Sequence, residues 1–282
     1  MTLQYFVSCW GNEVDHLGAL TLAEQWQADG IEGPPPKDDA NAEALRHCTC
    51  PWIAEVVTGG NYVPRPHMNV VQHLDDLRRL VETCLPFSPV MINALAGSDA
   101  WSFADKVAFY TTALDLEREF GVPIAFEVHR SRPMFHPWVT RDLLAELPGL
   151  HLTCDFSHWC AVTERLVMDE EPELLDQIAS RARHIHSRVG YDQGPQVPDP
   201  RAPEHETALR SHLRWWQHIV NRQAGLGRAN LTLTPEFGPD GYLQCEPFSQ
   251  RRAADLREVN RWMQDHLRDV ITTLPSSYDF AK

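Results

Sequence analysis

The chain has 282 residues, 43% hydrophobic and 23% charged, which is the composition of an ordinary folded protein. Its formal net charge of −14 repels a phosphate backbone and sets aside extended nucleic-acid binding. No apolar run reaches bilayer-spanning length, the N-terminus MTLQYFVSCWGNE carries no basic leader, and seven irregularly spaced cysteines form no CxxC pair, so a protein of the reducing cytoplasm is expected.

Short β-like runs alternate with longer amphipathic segments along the whole chain. Leu3–Cys9 is strand-like, and Asp15–Ala28 is a helix candidate. Gly30–Glu32 is a weak second strand, and the loop GPPPKDD leads into a helix over Ala40–Cys48 capped by Asp38 or Asp39. Trp52–Val57 is a β-branched run that stops at Gly59-Gly60. Asn69–Cys84 places Val70, Leu74, Leu77, Leu80 and Val81 at helical spacing. Val90–Leu95 reads as a strand, and Phe103–Phe120 as a helix ended by Gly121-Val122-Pro123.

The second half repeats the rhythm. Strands are expected at Ile124–Val128, Leu150–Cys154, His184–His186 and Leu231–Thr234. Helices are expected at Thr140–Leu147 with Thr140 as cap, and at Pro172–Arg181, Glu204–Gln223 and Arg251–Leu267. Strands that alternate with helices imply parallel pairing through right-handed crossovers. Eight such units in this length predict a (β/α)8 TIM barrel, residues 1–282 forming a single domain. No GxGxxG or GxxxxGK[ST] follows a strand, which disfavours a doubly wound nucleotide-binding sheet.

Chemistry in such a barrel sits where strands end. Strand five ends IAFEVHR and offers Glu127; strand six ends LTCDFSH and offers Asp155 and His158. Strand seven ends HIHSR and offers His184, His186 and Arg188; strand eight ends LTPEFGP and offers Glu236. Singly, each residue reads as a cap, a salt bridge or a core histidine. Together they place several carboxylates on one rim, where mutual repulsion calls for a positive partner. One divalent ion, Mn²⁺, Mg²⁺, Co²⁺ or Zn²⁺, suits that mixture of oxygen and nitrogen donors.

The series E-x-H-R, D-x-S-H-W, H-x-H and P-E-F-G, one on each of four successive strands between Glu127 and Glu236, resembles the xylose isomerase-like TIM barrels. That superfamily includes the sugar phosphate isomerases/epimerases, ketose 3-epimerases, hydroxypyruvate isomerase, inosose dehydratase and endonuclease IV. INALAGSDAW, residues 92–101, is similar to a fourth-strand loop of its sugar-isomerase-like members. The resemblance implies that Glu127, Asp155, His186 and Glu236 hold the metal. His158 would touch substrate or a metal-bound water, Arg188 would hold a substrate oxygen or carboxylate, and His184 would stand behind the ligands. His129 and Arg130 would support the ligands or meet substrate. Glu127 and Glu236 would also act as acid and base on a sugar or related hydroxy-carbonyl compound, so an isomerase or epimerase working through an enediolate is expected. Trp10, Trp101 and Trp159 lie at or just after strand ends, where sugars stack on indoles, and Trp10 and Trp101 are the platform candidates.

Three alternatives stand beside this reading. The same metal and base serve a sugar dehydratase or keto-glycoside lyase. A trinuclear endonuclease IV-like site would need early-strand histidines, which CWGNE, VTGGN and NALAGSD lack, and Arg201 stands where a further histidine would be required. A metal-stabilised binding protein without turnover is the third. The Pro-rich loop Val189–Glu204 reads as a connector or as a wall carrying Gln196, Asp199 and Arg201 to substrate. The last helix has no decisive association stripe, which leaves a homo-oligomer open.

Overall fold

The computed structural model describes residues 1–239 and 241–273. Eight strands, β1 (Thr2–Ser8), β2 (Gly30–Gly33), β3 (Trp52–Val57), β4 (Met91–Leu95), β5 (Ile124–Glu127), β6 (Leu152–Cys154), β7 (Ala182–His186) and β8 (Asn230–Thr234), close into a parallel barrel in sequence order. Closure comes from β8 pairing with β1, Tyr5 standing opposite Leu233. The fold is therefore the (β/α)8 barrel that the alternation predicts. The outer layer among the described residues is α1 (His16–Trp26), α2 (Asp39–His47), α3 (Val70–Cys84), α4 (Phe103–Phe120), α5 (Pro137–Glu146), α6 (Ser157–Thr163), α7 (Pro172–Ala179), α8 (Glu206–Gly225) and α9 (Leu256–Val270). None of them is long and apolar enough to cross a membrane.

Local signals set the helix ends. The side chains of Asp15, Asp38, Asn69, Ser102 and Asp255 each accept a hydrogen bond from a first-turn backbone N–H of α1, α2, α3, α4 and α9. Asn69 and Gln72 close a reciprocal capping box, both bonds 3.0 Å long. Beyond shifts of one or two residues, three differences from the sequence expectation stand out. α5 starts at Pro137, whose fixed φ suits a first turn, so Thr140 lies inside the helix and donates to the His136 carbonyl at 3.0 Å. A short helix, α6, follows Asp155 where the sequence reading placed no helix. α9 begins at Leu256 rather than Arg251, because Asp255 caps it, and the residues before it extend the loop after β8.

Period-two alternation divides the barrel interior into a floor and an upper layer. Phe6, Ile53, Met91 and Ala125 form a separate apolar cluster. Two residues further along their strands stand Glu55 after Ile53, Asn93 after Met91 and Glu127 after Ala125, facing the same way. Gly30 makes room for the floor: a Cβ there would meet the Phe6 ring at 2.3 Å. The aliphatic faces of the strands pack outward on the helices in a larger cluster that includes Val7, Ile31, Phe109, Phe126, Trp159 and Trp216.

Candidate metal-binding active site

The upper layer gathers acidic and imidazole groups from six strands, β2, β3, β5, β6, β7 and β8. His186, at the end of β7, stands at its centre. Its Nδ1 lies 2.9 Å from Glu236 Oε2 and 3.6 Å from Glu127 Oε2, while Nε2 donates to Glu32 Oε1 at 3.0 Å. His184, two residues back on the same face, bridges Glu32 Oε2 at 3.1 Å and Thr232 Oγ1 at 2.7 Å. Asn93 Nδ2 donates to Glu32 Oε1 at 3.0 Å and to Glu127 Oε2 at 3.2 Å. Glu32, Asn93, His184 and His186 are all buried.

Electrostatics follow from that crowding. Burial works against charge on His186, but Glu236, Glu32 and Glu127 more than offset it and hold the imidazole well above its usual range. Burial likewise opposes the Glu32 carboxylate, and His186 and His184 overcome it, keeping that carboxyl well below the usual range. Burial pushes Glu127 up to about 8, with Glu236 and Asp155 adding and His186 opposing. Burial raises Glu55 as well, reinforced by Glu236, Glu32 and Glu127.

Asp155 is fully buried under the rim. Ser157 donates to it through backbone N–H at 3.1 Å and through its hydroxyl, and the Arg188 guanidinium donates to its other oxygen. Arg188 also reaches Ser157 Oγ at 3.2 Å and His158 Nε2 at 2.8 Å, and lies 4.5 Å from the Tyr242 ring centre. Burial depresses His158 and His129, and neighbouring positive groups add to it: His129 and Arg188 for His158, Arg132 and Arg188 for His129. The two rings stand 3.9 Å apart.

These residues fit a divalent ion. Glu127, Asp155 and His186 each offer a ligand atom, and the three atoms lie within 4.8 Å of one another. Among the described residues His186 Nδ1 is buried with no hydrogen-bond partner, despite its closeness to Glu236, and an ion bound there would displace the proton that the surrounding carboxylates hold on the ring. Ligation at Nδ1 requires the proton to sit on Nε2, where Glu32 accepts it; a carboxylate behind a metal-binding histidine is a recurrent device. Two other three-residue groupings, Glu32–His184–His186 and Glu127–His129–His158, meet the same distance test.

Above this layer lies a cavity of about 600 Å³ lined by Glu55, Glu127, His129, Arg188, Glu236, Trp10 and Tyr242, among others. Trp10 and His129 thus reach the cavity. His158 is fully buried beneath it behind His129 and Arg188. Trp101 is absent from the cavity wall; its Nε1 donates to Met68 O at 3.2 Å, and its ring packs on His73 and Phe109. Trp159 is a core residue that donates to Met134 O at 3.0 Å. In the loop after β7, Gln196 clamps Gly238 through both its backbone N–H and C=O, and Asp199 pairs with Arg201. Gly238 is required there because a Cβ would fall 1.9 Å from the Trp10 indole.

Sequence reasoning missed Glu32, Glu55 and Asn93 on the early strands, and Tyr242 and Lys37 on the loops. Alternation offered a signal for the first three: each stands two residues after a small or apolar inward residue on a short strand. Tyr242 arrives from a long loop, donates to or accepts from His129 Nε2 at 3.4 Å, and packs edge-on against Trp10 at 5.4 Å.

Comparison with solved structures finds the same (β/α)8 fold in several enzymes and related proteins. A D-allulose 3-epimerase from Methylomonas sp., in complex with D-allulose, is 16% identical with a TM-score of 0.60, covering 95% of this chain and 97% of that one. The IOLI protein with a bound zinc atom is 14% identical with a TM-score of 0.62, covering 96% and 100%. A probable 3-DHS dehydratase, AsbF from Bacillus anthracis, is 12% identical with a TM-score of 0.61, covering 94% and 98%. An endonuclease IV from Thermus thermophilus has the same fold, at 14% identity and a TM-score of 0.57 over 94% of this chain and 98% of that one. At these identities the likeness is one of fold. No family model and no curated protein sequence matches the chain.

Proposed function

We propose that the protein is a divalent-metal-dependent isomerase or epimerase of a sugar or related hydroxy-carbonyl compound. The observation that carries this reading is the pair Glu127 and Glu236, brought from the ends of the non-adjacent strands β5 and β8 to the wall of one cavity, both facing His186 Nδ1, at 3.6 and 2.9 Å. Glu127, Asp155, His186 and Glu236 would hold the ion. When bound, the ion supplies Lewis acidity that stabilises an enediolate and neutralises the crowded carboxylates.

The chain's own residues do the rest. One glutamate takes the proton beside the carbonyl, and the other returns a proton from its own side of the cavity. Arg188 anchors Asp155 and offers its remaining N–H groups to a substrate oxygen. Trp10 and Tyr242, at right angles, give a sugar ring one apolar face to lie on. The solved epimerase with D-allulose and the zinc-bearing IOLI protein, which have the same fold, support this reading.

The test is proton exchange. Metal-loaded protein in deuterated water is expected to place deuterium on the carbon next to the carbonyl of its keto-sugar substrate, followed by NMR. Glu236→Gln and Glu127→Gln should each slow exchange by about 10²–10⁴-fold. Full activity in Glu236→Gln removes it from the acid–base role. Release of water or of an aglycone, in place of isomerised product, assigns the dehydratase or lyase chemistry instead.

A further inference from the structure

A second cavity, about 490 Å³, opens beside the first at the same end of the barrel, over β1 and β2. Trp10, Lys37 and Glu55 line both, so one indole, one ammonium and one carboxylate form a shared wall. Each cavity lies in the range of about 300–1,000 Å³ that accommodates a small ligand. A single sugar ring over Glu127 and Glu236 would leave the second cavity unfilled.

The chemistry of the second cavity narrows what it takes. Asp15 and Asp38 are held in place as helix caps, accepting from Gly18 N and Asn41 N at 2.9 Å each, and Asn41 Nδ2 donates to Asp38 Oδ2 at 2.8 Å. An ionised carboxylate accepts about four hydrogen bonds, so both keep acceptor capacity for hydroxyl groups. Val14, Pro34 and Pro35 supply apolar surface beside the indole. Against these carboxylates stands one ammonium, that of Lys37, so a phosphate or carboxylate group would meet more repulsion than attraction.

Resting on the sugar reading above, we propose that the substrate has two units: a keto-sugar whose reacting carbons lie over Glu127 and Glu236, joined to a neutral, hydroxyl-rich ring seated in the second cavity. The substrate class is then a glycoside or disaccharide rather than a free monosaccharide or a sugar phosphate.

Calorimetric titration of the metal-loaded protein with fructose, its O-glucosides turanose and maltulose, and a fructose phosphate tests this. At least one glucoside is expected to bind about tenfold or more tightly than fructose. Val14→Trp, which fills the second cavity, should bring that ratio to within about twofold of unity. Asp38→Asn, which keeps a good helix cap while weakening the acceptor, should reduce it in the same direction. A glucoside no tighter than fructose, a preference that survives both variants, or a fructose phosphate that binds tightest overturns the proposal. Binding is read without turnover, so the two readings fail separately. Glucoside preference without deuterium exchange on any of these sugars removes the isomerase reading alone; exchange on fructose without preference removes the second cavity alone.

Discussion

The two halves of the barrel contribute differently. Strands β5 to β7 bring Glu127, Asp155 and His186, whose ligand atoms lie within 4.8 Å of one another, and the end of β8 brings Glu236 to 2.9 Å from His186 Nδ1. Strands β2 to β4 bring Glu32, Glu55 and Asn93, which bond to those groups or bias their charge. Ligands fixed by hydrogen bonds from a second set of residues hold their geometry with less loss of side-chain freedom on binding. On the proposed reading the late half would carry the reactive donors, and the early half would set their tautomer, orientation and charge.

The sharpest break of this comparison is Asp155→Ala. Elemental analysis should find about one divalent ion per chain in the parent protein and none in the variant. About three zinc ions in the parent would revive the nuclease reading.

Each half also holds one buried neutral histidine away from the site. His73 donates to or accepts from Thr58 at 2.6 Å beside the early strands, and burial, with Arg132, lowers it to about 4 despite Asp76. His212 lies under the loop after β7, where burial lowers it to about 4 despite its bond to the Ala208 carbonyl and nearby Asp169. The unfolded chain takes up these protons below about pH 6.5, whereas the folded chain resists them until about pH 4. The associated stability is therefore whole above pH 6.5, declines as pH falls, and levels off below 4, at a cost of about 3 kcal/mol per fully buried histidine. Urea unfolding at pH 7 and 4.5 should show the loss, and His212→Asn and His73→Asn should each flatten the slope by a similar amount.

A smaller effect isolates the supporting role of the early half. Glu32→Gln keeps the shape and removes the acceptor charge behind His186, and should weaken metal binding by about 10–100-fold, read by competition with a chelating dye. Unchanged affinity would show that His186 needs no such orientation. The least effect is expected from Asn69→Ala at the α3 capping box, about 1 kcal/mol of stability and unaltered metal affinity.

The sequence showed the late half and hid the early one for a physical reason. Asp155 and Glu236 close β-like runs and stand beside turn residues, so their chemistry interrupts an apolar pattern. Glu32 sits in a four-residue strand bounded by two glycines, and Glu55 sits inside WIAEVV, where a lone carboxylate looks like the solvent face of an edge strand. Only barrel closure turns that face inward. Trp101 had the right position after a strand, but its indole packs on His73 and Phe109, an orientation that spacing does not encode. The architecture was legible because it rests on alternation and caps, which are local, whereas Tyr242 enters the site from a loop fixed by its partners Trp10, His129 and Arg188.

The apolar floor of Phe6, Ile53, Met91 and Ala125 has a kinetic consequence. It stops the barrel axis like the base of a cup, so any small molecule would reach and leave the cavity through one opening. Whatever enters must first let water out past Trp10 and Tyr242, and a product still seated there bars the next arrival. On the proposed function, traffic through the mouth, rather than through the molecule, would limit how fast successive turnovers follow.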